Sequence, residues 1–290
     1  MKRFRTIAEL RAGLEGSRRT GRSIGLVPTM GSFHEGHLSL IRRARGQCDE
    51  VVVSLFVNPA QFNQGSDFAH YPRDERRDGE LAERERVDFL FIPPEAEMYP
   101  PGFATTVRVS GVTETLEGTH RGRGHFDGVA TVVVKLLNIV SPDVAYFGAK
   151  DAQQALVITR LVRDLDLPVR IEVCPTVRDS DGLALSSRNV MLSRQGRARA
   201  AALHRALIAT ASAVARGERD AAAAQHSGRA ELAAAGIAPD YFELVNATTF
   251  EPVEQIDGDV VALVAAQIGA TRLIDNEPIP LNHHHPLGAP

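Results

Sequence analysis

Cysteine is scarce in this chain, long apolar runs are missing, and neither sign of charge dominates. Cys48 and Cys174 are the two cysteines among 290 residues. They lie far apart and match no metal-ligand spacing, which excludes a disulfide framework and predicts two buried free thiols in a reducing compartment. The longest apolar stretches, Val129 to Val134 and Val260 to Ala266, fall well short of the roughly 20 residues that a membrane-spanning helix needs. The opening MKRFRTIAELRAGLEG carries basic residues without a continuous apolar core, so it predicts a strand or turn leading to a short amphipathic helix, not a signal peptide. A formal net charge of −3 with 24% charged residues argues against a general nucleic-acid surface. A cytoplasmic protein acting on a small substrate, with no nucleic-acid or membrane partner, is the expectation. The tail LNHHHPLGAP lacks periodicity and reads as disordered, its three histidines able to bind metal only adventitiously.

What the chain does have is alternation. Ser23 to Val27, Glu50 to Val57, Asp88 to Ile92, Val144 to Phe147 and Val169 to Cys174 are strand candidates separated by helical patterns at βαβ spacing. The run Val51, Val52, Val53, Leu55, Phe56, Val57 does not alternate, as a strand buried on both faces of a parallel sheet requires. Val129, Val132, Val133, Leu136, Leu137 and Val140 follow the i, i+3, i+4, i+7 pattern of a helix packing one face inward, and Asp151 to Asp164 reads similarly. These features predict an α/β fold: a Rossmann-like, doubly wound parallel sheet over residues 1–176. From residue 177 to 290 a smaller C-terminal α+β domain is expected, with two alanine- and arginine-rich helices over Arg194 to Ala235 broken near Gly217. Tyr241 to Asn246 and Val260 to Gln267 follow as strands. Val177 to Asn189 reads as a polar loop at the boundary.

The most informative segment is GLVPTMGSFHEGH, Gly25 to His37, in which a short apolar strand, broken by Pro28 and Gly31, turns into a helix starting near HEGH. His34 and His37 are three apart and share a helix face. They meet beside a helix N-terminus, where unpaired backbone N–H groups and the helix dipole favour anions. Gly36 between them has no Cβ, so a base or phosphate chain could approach the backbone closely. The alternative is a helix-entry histidine followed by a half-buried surface one.

Ligands of open α/β sheets bind outside the carboxyl ends of the strands, which nominates three further loops. FVNPAQF supplies Asn58 and Gln61, and FGAKD supplies Lys150 and Asp151, with Gln154 three residues after Asp151 on its face. LSSRN, Leu185 to Asn189, supplies Ser186, Ser187 and Arg188, which can grip a polyphosphate with neutral and charge-assisted hydrogen bonds. Taken singly, each has a plain reading: Asn58-Pro59 starts turns, Asp151 fits a helix N-cap, and Lys150 and Arg188 fit solvated cations.

The motifs PTMGSFHEGH, FVNPAQF, YPRD, GHFDGVATVVVKL, FGAKDAQQ and DGLALSSRN, in this order, resemble the pantothenate synthetase (pantoate–beta-alanine ligase) family of the HIGH-motif nucleotidyltransferases. The resemblance implies ATP-dependent condensation of (R)-pantoate with beta-alanine to pantothenate, AMP and pyrophosphate through a pantoyl adenylate. It implies that Pro28, Thr29, Met30, Gly31, His34, Gly36, His37, Gly148, Lys150, Asp151, Val177, Leu185, Ser186, Ser187 and Arg188 contact ATP. His34, His37, Lys150, Ser186, Ser187 and Arg188 face the reacting phosphates, with His37 as proton donor. Gln61 and Gln154 hold pantoate, with Gln61 also near beta-alanine, and Asn58 joins them. Mg²⁺ is held mainly by phosphate oxygens, Asp78 being the one candidate protein ligand. The resemblance also implies a homodimer and a lid role for the C-terminal domain. Departures are Ala149 where Glu is usual, Ala152 where a bulkier residue is common, and Arg77 where an acid is common. One extra residue lies between Gly118 and His125, so either Arg121 or Arg123 answers to the family arginine. Rival readings are another nucleotidyltransferase of the superfamily, a class I aminoacyl-tRNA synthetase, and a nucleotide-binding regulatory module without turnover.

Overall fold

The computed structural model describes residues 1–62, 68–69 and 71–281, with Arg123 described by its backbone alone. The histidines of the tail, His283 to His285, lie outside the described residues. The chain divides into two compact units: Met1–Val177 with Leu185–Ser187, and Arg178–Ala184 with the chain from Arg188 onward.

Among the described residues, the first unit holds six parallel strands: β1 (Lys2–Phe4), β2 (Ile24–Thr29), β3 (Glu50–Leu55), β4 (Phe89–Phe91), β5 (Val144–Gly148) and β6 (Arg170–Cys174). Their spatial order is β1-β4-β3-β2-β5-β6. Interspersed are helices α1 (Ile7–Arg19), α2 (Glu35–Gln47), α3 (Glu75–Arg84), α4 (Glu95–Met98), α5 (Glu117–Arg121), α6 (Arg123–Val140) and α7 (Ala152–Asp164).

Side-chain alternation explains why the sheet is covered on both faces. Leu26, Val52, Ala145 and Phe147 pack into one core with Leu10 and Leu14 of α1, Val129 and Val133 of α6, and Ile158 of α7. Val27, Val51, Val53, Val144 and Tyr146 pack into another with Leu38 and Ile41 of α2 and Ala82 of α3. Val51, Val52 and Val53 are each fully buried, contributing about 1.5–3 kcal/mol apiece, so the unbroken valine run was the right signal for a doubly wound sheet. Cys48 and Cys174 are free and buried, as expected.

The strand order reverses between β2 and β5. These two strands pair only at Gly25–Val144 and Leu26–Ala145, whereas β2 stays paired to β3 as far as Thr29. Past Leu26 the neighbours part, which opens the crevice that doubly wound sheets use for ligands. The same divergence corrects one expectation: Pro28 does not break β2. It lies on the β5-facing side after that pairing has ended, so its missing N–H costs no ladder bond.

In the second unit, α8 (Arg194–Ala200), α9 (Ala202–Ala215) and α10 (Ala221–Ala234) pack on an antiparallel sheet of β7 (Pro239–Asn246), β8 (Val260–Ile268) and β9 (Thr271–Ile279), in the order β7-β8-β9. The expected break falls at Gly217, at φ +103°. A further break at Ala201 makes three helices where two were expected. Ala201 keeps nearly helical dihedrals, φ −60° and ψ −18°, so residue periodicity carries no sign of it. Neither β9 nor the short β1 was firmly legible: β9 holds a proline and several polar residues, and three residues are too few for a pattern.

Candidate active site

The turn after β2 is held by backbone geometry and one buried carboxylate. Gly31 and Ser32 both take positive φ, +87° and +55°. A Cβ at Gly31 would lie 2.7 Å from Leu55 Cδ1 and 2.9 Å from Asp78 Oδ2, so glycine is required here. Asp78 of α3 is 1% exposed and accepts the N–H groups of Ser32 (2.7 Å) and Phe33 (2.8 Å) on its two oxygens. Burial raises its pKa above the ordinary value, while those two bonds pull the other way. Both oxygens of Asp78 therefore hold the turn. Among the described residues no group of three or more His, Cys, Asp and Glu side chains could hold a metal ion.

His34 stands at the N-cap of α2 in an extended conformation, φ −131° and ψ 174°. The rings of His34 and His37 lie 4.1 Å apart between centroids, as their i, i+3 spacing predicts. Burial first, and then the Lys150 ammonium, lowers the His34 imidazole to about 4. Burial and then the charge His34 would carry lower His37 to about 3. Both rings are therefore neutral near pH 7. The His34 backbone N–H donates to His37 Nδ1 at 3.4 Å, which leaves the proton of a neutral His37 on Nε2. In the ligand-free protein a neutral His37 offers Nε2–H as a hydrogen-bond donor. His34 Nδ1 is buried with no partner among the described residues.

Gly36 also has a use within the fold. A Cβ there would lie 2.9 Å from His34 Nδ1 and Cε1, and 3.9 Å from Leu185 Cβ. The absent side chain makes room for the His34 ring, and Leu185 packs beside the same helical turn.

From the far side of the crevice, β5 ends at Gly148 and a short 3₁₀ turn, Ala149–Asp151, carries Lys150. Its ammonium is 3.6 Å from Asp151 Oδ1 and 20% exposed, and its charge acts on both imidazoles. Asp151 stands at the N-cap of α7 without a capping hydrogen bond from its side chain. Arg77 of α3 donates to the Phe33 carbonyl (3.1 Å) and also disfavours charge on His34. The half-buried Gln154 lies in the first turn of α7, while the neighbouring Gln153 is buried and ties down the segment 112–117.

Asn58 and Gln61 occupy the start and end of a 3₁₀ turn after β3. Asn58, 1% exposed, donates to Gln61 Oε1 (3.1 Å) and the Gly128 carbonyl (3.0 Å), and accepts from Tyr99 (2.7 Å) and the Ala60 N–H (3.3 Å). With its amide so placed, Asn58 orients Gln61 in the ligand-free protein. Gln61 Nε2 donates to Met30 sulfur at 3.2 Å, which joins this turn to the one before α2.

Sequence reasoning missed the supports of this turn. His125 Nδ1 is 2.8 Å from the Gln61 carbonyl oxygen, with a pKa lowered to about 4 by burial and then by Arg121. Arg121 itself pairs with Glu117 at 2.7 Å, while the Arg123 side chain lies outside the described residues. A Cβ at Gly128 would lie 2.3 Å from the Ala60 oxygen and 2.7 Å from the Gln61 nitrogen. The signal available was a glycine inside an apolar helical run, which marks close backbone approach.

Val177, Leu185, Ser186 and Ser187 belong to the first unit, and Arg188 to the second. Within the first unit, then, His34, His37, Lys150 and Leu185 come together at the crevice, and Gln61 is linked to them through Met30.

The family description "Pantoate-beta-alanine ligase" matches residues 2–278. The pantothenate synthetase of Cereibacter sphaeroides is 54% identical over 95% of this chain and 99% of its own length. That of Moorella thermoacetica is 52% identical over 97% and 100%. Among solved structures, the pantothenate synthetase of Thermus thermophilus superposes with a TM-score of 0.92 at 46% identity, covering 97% of this chain and 100% of that one. The ligase of Francisella tularensis, described as complexed with beta-gamma ATP and beta-alanine, gives 0.78 at 33% identity, covering 96% and 97%. These matches run nearly end to end, and the chain belongs to the pantoate-beta-alanine ligase family.

Proposed function

We propose that the crevice between β2 and β5 seats the phosphates of ATP, and that the chain joins (R)-pantoate to beta-alanine through a pantoyl adenylate. The observation that carries this reading is a pair of neutral imidazoles at the start of α2, 4.1 Å apart, facing a cation close enough to lower both their pKa values. Neutral donors and one ammonium suit a polyphosphate that brings its own counter-ion.

In the first step a pantoate carboxylate oxygen attacks the α-phosphorus, the bond to the bridging oxygen breaks, and pyrophosphate leaves with the electron pair. No proton has to move. Charge grows on phosphate oxygens, and His37 Nε2–H, Lys150, Ser186, Ser187 and Arg188 are the donors assigned to it. Preorganised donors of this kind each contribute about a hundred- to a thousand-fold in rate. In the second step the neutral amine of beta-alanine attacks the acyl carbon, AMP departs, and the amine releases one proton. Gln61 and Gln154, being uncharged, hold pantoate without competing for the carboxylate that must react. The main-chain and apolar contacts expected of Pro28, Thr29, Met30, Gly31, Gly148, Asp151 and Val177 complete the nucleotide seat. Magnesium enters as MgATP, bound through phosphate oxygens and water as is usual for this ion. A homodimer in the cytoplasm completes the reading. No helix among the described residues is long and apolar enough to cross a membrane.

Pyrophosphate–ATP isotope exchange tests this function. Exchange that requires pantoate and Mg²⁺ but not beta-alanine is the expected result. Exchange driven by a nucleotide acceptor, or tight ATP binding without exchange, would overturn it.

A further inference from the structure

We propose that the hairpin from Val177 to Leu185 holds the phosphate-facing serines and Arg188 in place, and that Arg178 and Asp275 are positioning residues for ATP activation. The inference rests on the reading above, in which Ser186, Ser187 and Arg188 meet phosphate.

The chain passes between the two units three times here, after Val177, after Ala184 and after Ser187. At the hairpin base, within the first unit, the Leu185 N–H donates to the Val177 carbonyl at 3.0 Å. The tip lies in the second unit and is paired through the Arg178–Ala184 bridge. Bonds from the Asp179 N–H to the Leu183 carbonyl and from the Gly182 N–H to the Asp179 carbonyl, both 2.9 Å, complete it.

That tip is fastened firmly to the second unit. Arg178 Nη1 lies 2.6 Å from Asp275 Oδ2, and Nη2 lies 3.1 Å from Oδ1. The same guanidinium donates to the Asn276 carbonyl (3.1 Å) and the Gly182 carbonyl (3.3 Å), with Glu277 at 3.6 Å. The side chains are 16% and 2% exposed. Arg197 of α8 donates to Asp179 at 2.6 Å. Gly182 adopts φ +86°, and a Cβ there would lie 2.6 Å from His204 Nδ1 of α9. On the other side of the serines, the Asn189 side chain donates to the Ala184 carbonyl at 3.0 Å. That bond closes a loop around Leu185, Ser186, Ser187 and Arg188.

Within the second unit a continuous series of contacts therefore runs from Asp275 through Arg178 and Ala184 to Asn189, next in sequence to Arg188. A buried ion pair is weak support for stability, because desolvation offsets its attraction. A bidentate fork does fix geometry, and misplacing a reacting group by about 1 Å costs on the order of a hundredfold in rate.

The test compares Asp275→Asn, Arg178→Lys and Gly182→Ala with the unaltered enzyme in two half-reactions. One is pyrophosphate–ATP exchange with pantoate, and the other is single-turnover capture of preformed pantoyl adenylate by beta-alanine. Exchange turnover at saturating substrates should fall at least about tenfold in Asp275→Asn, less in Arg178→Lys, which keeps the charge but loses the fork. Capture of the preformed adenylate should change by no more than about threefold, a split that loss of folded protein cannot produce. Gly182→Ala keeps every charge and strains the tip, so it carries the test if Asp275→Asn fails to fold. Unchanged exchange in folded variants, or both half-reactions falling in parallel, would defeat the positioning role. An unaltered enzyme without exchange would instead defeat the proposed function.

Discussion

A histidine that stays neutral offers an enzyme a different chemistry from one that shares its proton with water. His34 and His37 sit at the start of a helix whose field disfavours positive charge, beside Lys150, and largely out of water. These causes push the same way, and the Asp151 carboxylate opposes them. In the ligand-free protein neither imidazole should titrate with a midpoint near 6.5. Nitrogen-15 spectra recorded from pH 8 to pH 5 should show His37 as the Nε2-protonated tautomer throughout. A titration of either ring near pH 6.5 would show instead that the ring can carry an acid proton in the ligand-free protein. Replacing it, His37→Ala, should lower first-step turnover about a hundred- to a thousand-fold with the circular dichroism spectrum unchanged.

At the scale of elements, the turn carrying Gln61 depends on α6 more than on its own sequence. Asn58 bonds the Gly128 carbonyl, His125 bonds the Gln61 carbonyl, and the absent Cβ of Gly128 lets the turn lie against the helix backbone. Alanine at 128 is an excellent helix former in isolation, yet here it would drive the turn outward. Gly128→Ala should cost about 1–3 kcal/mol in stability by overpacking, read from urea unfolding. The KM for pantoate in exchange assays should rise with a smaller change in KM for ATP. Equal effects on both substrates would mean that the turn does not hold pantoate.

Across the whole molecule, the buried histidines set how stability depends on pH. His34, His37 and His125 have folded pKa values of about 4, 3 and 4, against 6.5 when unfolded. Below pH 6.5 the unfolded chain therefore binds protons that the folded chain refuses, so stability falls as pH drops from about 6.5 towards 4. Each group adds at most about 1.4 kcal/mol per pH unit to that slope. Glu9, Asp49 and Glu172, lowered by hydrogen bonds, act in the same direction at lower pH, and Asp78 opposes them. Urea midpoints should decline steadily between pH 7 and pH 4.5 in the ligand-free protein; constant midpoints would show that these imidazoles are hydrated.

The doubly wound sheet, the helix that starts at His34, and the place of His34, His37, Lys150 and Gln61 after strand ends were all legible in the sequence. They follow from local rules: unbroken valine runs, i, i+3 spacing, and loops at carboxyl ends of strands. The tertiary structure alone decided what those residues do for one another. Asp78 turned out to hold a turn, Asn58 to orient its neighbour, and Gly36 to make room for a ring. His125 and Gly128 emerged as supports, and Arg178 found Asp275 nearly a hundred positions along the chain. Such roles depend on which polar groups meet when distant segments pack, and no period or spacing in the chain encodes that meeting. Charge state has the same origin, because an imidazole's proton affinity is set by the water that packing removes and by the cation that packing brings near.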